Sequence, residues 1–296
     1  MKKSEKNPIF TLIVFVFSFW LLLHWIHPKH QKISDHETIS MKELLAAAID
    51  IAEEGGRELV RIKKSGRLKT SEKTGKNDLV TAGDHASHDI MYYGLKGAFP
   101  GLAVISEEED APQNPSGSVF LPKLTNKKLE RILVSDELLP IEDLTVWIDP
   151  LDATKEYTEG LTEYVTTMVG FAVDGEAVGG VVHFPFTGET VWGWKEHGNN
   201  ILDQSENAPR NSVLVSRSHT GQAEEQSKKH LGPNAKIIKA GGAGYKAISI
   251  FHGRGEGYFH SGKIKKWDIC AIEGIIKSTC YGKFTNLKGQ TIDYRF

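Results

Sequence analysis

The chain has 296 residues, 40% of them hydrophobic and 25% charged, a globular composition with room for one large domain or two ordinary ones. Its 36 Lys and Arg against 38 Asp and Glu leave a formal charge of −2, which excludes a basic nucleic-acid coat or an acidic tail, so any anionic ligand must be held by local features. The two cysteines, Cys270 and Cys280, are too few for a disulfide framework and lack zinc-site spacing; they read as buried thiols, with pairing between them left open.

In chain order, residues 1–8 read as a short cytosolic tail. The run "PIFTLIVFVFSFWLLLHWI", Pro8 to Ile26, is almost wholly apolar and about as long as a helix crossing a ~30 Å hydrocarbon core. A cleaved signal peptide would have a shorter apolar run and a small-residue cleavage site, so 9–26 is predicted to be an uncleaved transmembrane anchor. Lys2, Lys3 and Lys6 before the span favour a cytosolic N-terminus, and 27–38 reads as a polar stalk. The main domain is then 39–296.

Ser40 followed by Glu43 is a capping-box start, and Leu44, Ala47, Ala48, Ile51, Ala52 and Leu59 recur at helical spacing; Gly55-Gly56 is expected to weaken or kink that helix. "TAGDHASHDIMYYGLKGAF" reads as a second helix with Asp84 near its start, and "LAVISEEED" as a short strand ending in acids. Residues 111–143 look loop-rich and carry no motif. "LTVWIDP" is a buried strand. "EYVTTMVGFAVDGEAVGGVVHFPFTGETVWGW" gives two or three strands, with a hairpin turn at Asp174-Gly175. "NSVLVSRSH" is a strand emptying into a loop. "AKIIKAGGAGYKAISIFHGRGEGYFH" is strand, glycine-rich turn, helix and strand, and "KKWDICAIEGIIKS" a helix with Asp268 in its first turn.

Asp84, Glu107, Asp149, Asp152 and Asp268 all end strands or begin helices, so rigid elements can present them. Converging carboxylates repel one another unless cations neutralise them, and an all-oxygen set without a His/Cys cluster selects Mg²⁺, Mn²⁺ or Ca²⁺ over zinc. In Asp149-Pro150-Leu151-Asp152 the proline fixes a turn that lets both carboxylates, and the Leu151 carbonyl, face one point. A helix beginning at Ala153-Thr154 would aim free N–H groups at an anion. Taken alone, the stretch is equally well a capped Asp-Pro turn. The "AGGAGYK" run alone is a tight strand-to-helix turn, and His219 alone a surface histidine.

The blocks "LVTAGD", "VISEEE", "WIDPLDAT" and "KKWDICA", in this order and separation, resemble the inositol monophosphatase superfamily of Mg²⁺-dependent, lithium-sensitive phosphatases over roughly residues 40–290. "DPLDATKEYTEGLTEYVTTMVG", "VSRSH", "AGGAGYK" and "IKKWDICA" are similar to its 3′(2′),5′-bisphosphate nucleotidase branch. The resemblance implies a mixed α/β fold, a layered αβαβα sandwich of that type. It implies two or three Mg²⁺ ions: one on Glu107, Asp149 and the Leu151 carbonyl, a second on Asp149, Asp152 and Asp268. Asp84 with Glu107 would bind a weaker third ion or take a proton from the nucleophile, and Thr154 would help activate the attacking water. Ser216, His219, Gly242, Lys246 and Asp268 would hold the nucleotide. The implied substrate is 3′-phosphoadenosine 5′-phosphate, cleaved to AMP and phosphate, with no nucleic-acid partner. With the anchor, the likeness is to Golgi-resident members, implying a single-pass type II protein of the Golgi membrane with a lumenal catalytic domain. The oligomeric state stays open, a homodimer included.

Two departures stand out. After "KKWDICAIEGIIKS" the family continues into a glycine-rich strand, a further strand and a final helix, whereas this sequence reads "TCYGKFTNLKGQTIDYRF"; a C-terminally shortened domain with one uncovered sheet edge and part of its core uncovered is expected. Residues 111–143 match no family motif. The rival functions are an inositol-phosphate phosphatase and a catalytically impaired, membrane-anchored nucleotide-binding protein.

Overall fold

A computed structural model describes residues 37–66, 70–72, 79–108, 119–217, 222–279 and 282–296. The expected anchor, His219 and Cys280 lie outside the described residues. Among the described residues no helix is long and apolar enough to cross a membrane. The chain divides into two units, Met1–Glu37 and Thr38–Phe296, and every element below belongs to the second.

Strand β1 (Thr38–Ser40) leads into helix α1 (Met41–Ser65). Ser40 caps that helix, its hydroxyl accepting from the Glu43 amide at 3.1 Å. Gly55-Gly56 does not break the helix. A Cβ at Gly55 would lie 2.6 Å from the Ser87 hydroxyl, and one at Gly56 2.6 Å from the His183 ring. The two glycines therefore give up helix propensity, ~1 kcal/mol each, to let neighbouring elements approach.

Strands β2 (Thr70–Glu72) and β3 (Leu79–Thr81) pair antiparallel and enter α2 (Ala82–Ala98). Then come β4 (Ala103–Ser106), α3 (Lys127–Ile132), β5 (Leu138–Pro140), β6 (Leu144–Asp152) and α4 (Thr154–Glu159). A meander of β7 (Thr166–Val173), β8 (Glu176–Phe184), β9 (Glu189–Trp194) and β10 (Gly198–Asn199) follows. Its first hairpin turns at Asp174-Gly175, both in the left-handed region at φ 50° and 83°, as the sequence predicts. The last part holds β11 (Ser212–Ser216), α5 (Ala223–Leu231), β12 (Lys236–Ala240), α6 (Ala243–Phe251), β13 (Gly257–Tyr258) and α7 (Cys270–Lys277).

Six strands form one sheet in the order β10-β9-β8-β7-β6-β4. Its neighbours are antiparallel except β4 and β6, which run parallel. A second, parallel sheet has the order β12-β11-β13. Alternation along β7 assigns its faces: Val169 and Phe171 meet α1 and α2 residues, while Met168 and Gly170 face α7. Helices α6 and α7 fill the space beneath, α6 also meets β13, and α5 packs on the far side through Val213, Val215 and Ala223. The layers are therefore the expected αβαβα.

Residues 282–296 carry neither helix nor strand. Yet Tyr294 is fully buried in a cluster with Ile105, Trp147, Ala172 and Cys270, donates its hydroxyl to Glu273 at 2.7 Å, and accepts from the Trp147 indole through its carbonyl. That part of the core is thus filled by one tyrosine rather than by a closing helix. Among the described residues β13 pairs only with β11, so that sheet edge is open.

Helix α7 lies almost on the sheet backbone. A Cβ at Gly274 would come 2.2 Å from the Gly179 carbonyl oxygen, and one at Gly180 2.3 Å from the Ala271 oxygen. Both obstacles are main chain and cannot rotate away. Gly274→Ala would ordinarily stabilise a helix by about 1 kcal/mol. Here it is expected to destabilise by about 1–3 kcal/mol, several degrees in thermal midpoint, because α7 must lift off the sheet. Circular-dichroism melting checks the sign; an unchanged or raised midpoint contradicts the seam.

Candidate active site

The parallel pairing of β4 and β6 brings the first two acids together. Ser106 is opposite Ile148, so both strands end at the same edge and deliver Glu107 and Asp149 side by side. The Glu107 amide donates to the Ile148 carbonyl at 3.1 Å, fixing that register. Beyond Asp149 the pairing of β6 with β7 slips over Pro150-Leu151 and resumes at Asp152 opposite Thr166. The slip is a bulge, which re-aims side chains at a strand end. Ala153, just after it, is held in the left-handed region at φ 71°, a conformation that strains a residue with a Cβ.

Helix α2 clamps this turn. Ser87 donates to the Pro150 carbonyl at 2.8 Å, and Thr154 is 3.0 Å from Asp84 Oδ1 and 3.1 Å from the Leu151 carbonyl. The single Thr154 proton serves one acceptor at a time, leaving the hydroxyl's lone pairs free to accept. Asp84 is fixed from its own side: its Oδ2 accepts from the Thr81 amide (2.7 Å) and the Thr81 hydroxyl (2.6 Å), completing a capping box. Burial raises its carboxyl pKa to about 6, aided by Glu108 and opposed by the Thr81 and Thr154 bonds. An acid near neutrality suits proton transfer.

Asp149 is buried, with Oδ1 accepting from the Leu151 amide at 3.1 Å. Its pKa is driven well above the carboxylate range, first by burial, then by Glu107, Asp152, Asp268 and Asp84. Asp152 is tied to the second half of the chain: Oδ2 accepts from the Gly244 amide at 2.8 Å and the Thr166 hydroxyl at 3.1 Å. Burial raises its pKa, while Lys246 and the α6 amides pull it down. The carboxylate therefore caps α6 and holds the glycine-rich turn against the Asp-Pro turn. Asp268 sits two residues before α7 rather than in its first turn. There Oδ2 accepts from the Lys265 amide at 2.7 Å, bracing the turn that enters the helix. Burial raises its pKa to about 7, opposed by the Lys265 amide.

Lys246, in the first turns of α6, is buried, and burial lowers its pKa to about 8 against the pull of Asp152, Glu156 and Asp268. Its ammonium is tied back to the Gly242 carbonyl and lies 5.1 Å over the Tyr258 ring. Gly242, at φ 63°, brings backbone to the acids: a Cβ there would sit 2.9 Å from Asp152 Oδ2. Ser216, buried at the end of β11, is opposite Ala240, one residue before that turn.

The structure thus gathers ten predicted site residues around two joined turns: Asp84, Glu107, Asp149, Leu151, Asp152, Thr154, Ser216, Gly242, Lys246 and Asp268. Among the described residues, however, no three acidic, histidine or cysteine side chains form a closed ligand cage. Asp84, Asp149, Asp152 and Asp268 instead hold protein donors. The donor chemistry, oxygen only with acids that oppose one another's ionisation, fits a hard divalent cation. Sequence reasoning missed several supports. Glu108 is buried and charge-coupled to Asp84. Arg217 ties the "SRSH" strand end to α4 through Glu156 (3.1 Å) and Glu159 (2.6 Å). Local pattern marks neither as special.

A model of the inositol monophosphatase family matches residues 40–295. The chain belongs to that family. It is a phosphoric monoester hydrolase. It is 45% identical over 268 residues to inositol monophosphatase 3 of Danio rerio, covering 87% of this chain and 78% of that protein. It is 40% identical over 272 residues to the Golgi-resident adenosine 3′,5′-bisphosphate 3′-phosphatase of Mus musculus, covering 88% and 76%. Among solved structures, an IMPase/NADP phosphatase complexed with Mg²⁺ and phosphate shares the fold at a TM-score of 0.58 and 16% identity, covering 80% of this chain and 82% of that one.

Asp84 gives this family member a measurable pH signature. Its folded pKa is raised, so its contribution to stability is full below the ordinary carboxylate pKa and is lost as pH rises through about 6. Burial lowers His183 to about 4, which gives the opposite slope, so the test is a difference. In EDTA-treated protein, the stability of Asp84→Asn minus wild type should grow by on the order of 3 kcal/mol between about pH 4 and pH 7. Denaturant titration at several pH values checks this; parallel curves contradict it.

Proposed function

We propose that the chain is a Mg²⁺-dependent 3′(2′),5′-bisphosphate nucleotidase that removes the 3′-phosphate of 3′-phosphoadenosine 5′-phosphate, giving AMP and phosphate. The observation that carries this reading is Lys246. A buried ammonium, seated between the acid cluster and the glycine-rich turn, provides a second anion site beside the reacting one. A substrate with two anionic groups uses both.

In this reading Glu107, Asp149 and the Leu151 carbonyl hold one ion, and Asp149, Asp152 and Asp268 a second. Bound there, Mg²⁺ supplies positive charge against the phosphoryl group as charge develops on it. The fold neighbour that carries Mg²⁺ with phosphate supports the cation, and the all-oxygen donors support it independently. Asp84, with its near-neutral carboxyl, takes a proton from the attacking water, while Thr154, donating to Asp84 or Leu151, offers lone pairs that orient it. Gly242 gives the substrate access to backbone, and Lys246 neutralises its non-reacting anionic end. Ser216 stands one strand away, and His219, outside the described residues, is proposed to act from the same loop.

The mouse relative's name supports a Golgi location, with 9–26 proposed as the anchor and the catalytic domain lumenal. A second reading, an inositol-phosphate phosphatase, is favoured by the 45% identity to a protein named inositol monophosphatase 3.

Phosphate release separates the readings. The protein is expected to hydrolyse 3′-phosphoadenosine 5′-phosphate faster than inositol 1-phosphate, and the reverse order overturns the nucleotide assignment. Asp149→Asn should lower kcat by about a hundredfold or more. Lys246→Met should raise KM for the bisphosphate about tenfold or more, by loss of a charged hydrogen bond, and change inositol 1-phosphate hydrolysis far less. An equal effect on both substrates argues against a second anion site.

A further inference from the structure

One polar group beside this site is left over. The Tyr258 hydroxyl is sealed from solvent and has no hydrogen-bond partner among the described residues. A buried hydroxyl left unpaired costs free energy, and such a group in a native fold calls for an explanation. Its surroundings are specific. Tyr258 ends β13, which runs parallel to β11 with Tyr258 opposite Leu214. The carboxyl edge of this small parallel sheet therefore presents Ser216 from β11, Gly241-Gly242 after β12, and Tyr258 from β13. That edge is where open parallel sheets take their ligands. The Lys246 ammonium lies over the ring at 5.1 Å, and Asp152 and Asp268 act electrostatically on the hydroxyl without reaching hydrogen-bond distance.

The neighbouring groups are directed elsewhere. Asp152 Oδ2 serves Gly244 and Thr166, and Asp268 Oδ2 serves the Lys265 amide. Lys246 offers only donors and is drawn back onto the Gly242 carbonyl. Two donors, one charged and one neutral, thus sit together with no exchangeable acceptor between them. An oxyanion placed there would satisfy both.

We propose that Tyr258 is a ligand-contacting, specificity-determining residue: its hydroxyl donates to the non-reacting anionic group of the substrate, the same group that Lys246 neutralises. The ammonium, held on the Gly242 carbonyl, lies over the ring beside this hydroxyl, and an arriving anion would draw it off Gly242 to share the same group. This rests on the bisphosphate reading and deepens it. The site selects a substrate with a second phosphate because a monophosphate leaves both donors unpaired.

The test is Tyr258→Phe in the whole protein, which keeps the ring, its packing and its contact with Lys246. Kinetics are compared for 3′-phosphoadenosine 5′-phosphate and adenosine 3′-phosphate, which lacks the 5′ group. KM for the bisphosphate should rise about tenfold or more with kcat changed less than about threefold, while adenosine 3′-phosphate shifts less than about threefold. Added to Lys246→Met, the substitution should have little further effect, because both donors serve one anion. The ligand-free variant should melt at or above the wild-type temperature, since an unpaired hydroxyl has been removed. An unchanged KM, an equal loss on both substrates, a shift confined to the Mg²⁺ concentration needed for activity, a lowered midpoint or a failure to fold each overturns the proposal. A wild type that releases no phosphate from the bisphosphate instead sinks the functional reading, and the proposal with it.

Discussion

Mutual repulsion among buried carboxylates is the constraint to which the rest of this structure answers. Asp84, Glu107, the Asp149/Asp152 pair and Asp268 come from four separate stretches of chain to one place, where Lys246 and the rim residue Lys265 are their cationic neighbours. Burial raises the pKa of Asp84, Asp149, Asp152 and Asp268, and charge raises Asp149 further. Removing charges from water and crowding like signs both oppose folding. The fold compensates with fixed donors: a capping box on Asp84, the α6 amides and Thr166 on Asp152, a turn amide on Asp268. In the proposed reading, what they leave undone falls to a divalent cation.

Each of those donors also sets geometry. Asp152 is at once a strand-end acid and the cap of α6, so it ties the Asp-Pro turn to the turn presenting Lys246. Asp268 enters from the turn just before α7, whose distance from the sheet is set where Gly274 meets Gly179. Asp84 is locked to the start of α2, which in turn holds the Pro150 carbonyl through Ser87. In the proposed reading stability and function share these contacts, and the strain at Ala153 and the unpaired hydroxyl of Tyr258 both lie beside the acid cluster.

Much of this was legible in the sequence, and the limits have physical causes. Apolar runs ending in acids marked β4 and β6, Ser40 marked the start of α1, and Asp84 was placed near the start of α2. Local pattern could not show that β4 and β6 lie side by side, since their pairing spans some forty residues of intervening chain; the joint order of the motifs supplied that. Gly55-Gly56 looked like a weak point or kink because helix propensity is local, whereas the close packing that calls for glycine there comes from Ser87 and His183. The end of the chain looked as if it left core exposed, because nothing in "TIDYRF" announces that Tyr294 will be buried against Trp147. Tyr258, Thr166 and the Arg217–Glu156 pair were invisible for the same reason: their meaning lies in what they face.

The central claim is that the fold holds its acids in mutual opposition for a divalent cation to relieve. Calorimetric melting in EDTA and in rising Mg²⁺ at pH 7.5 tests it most directly, with Asp149→Asn alongside. Mg²⁺ should raise the wild-type midpoint in a saturable way, and the asparagine variant, relieved of one charge, should start higher in EDTA and gain much less. A wild-type midpoint indifferent to Mg²⁺, or an undiminished gain in the variant, would contradict the claim.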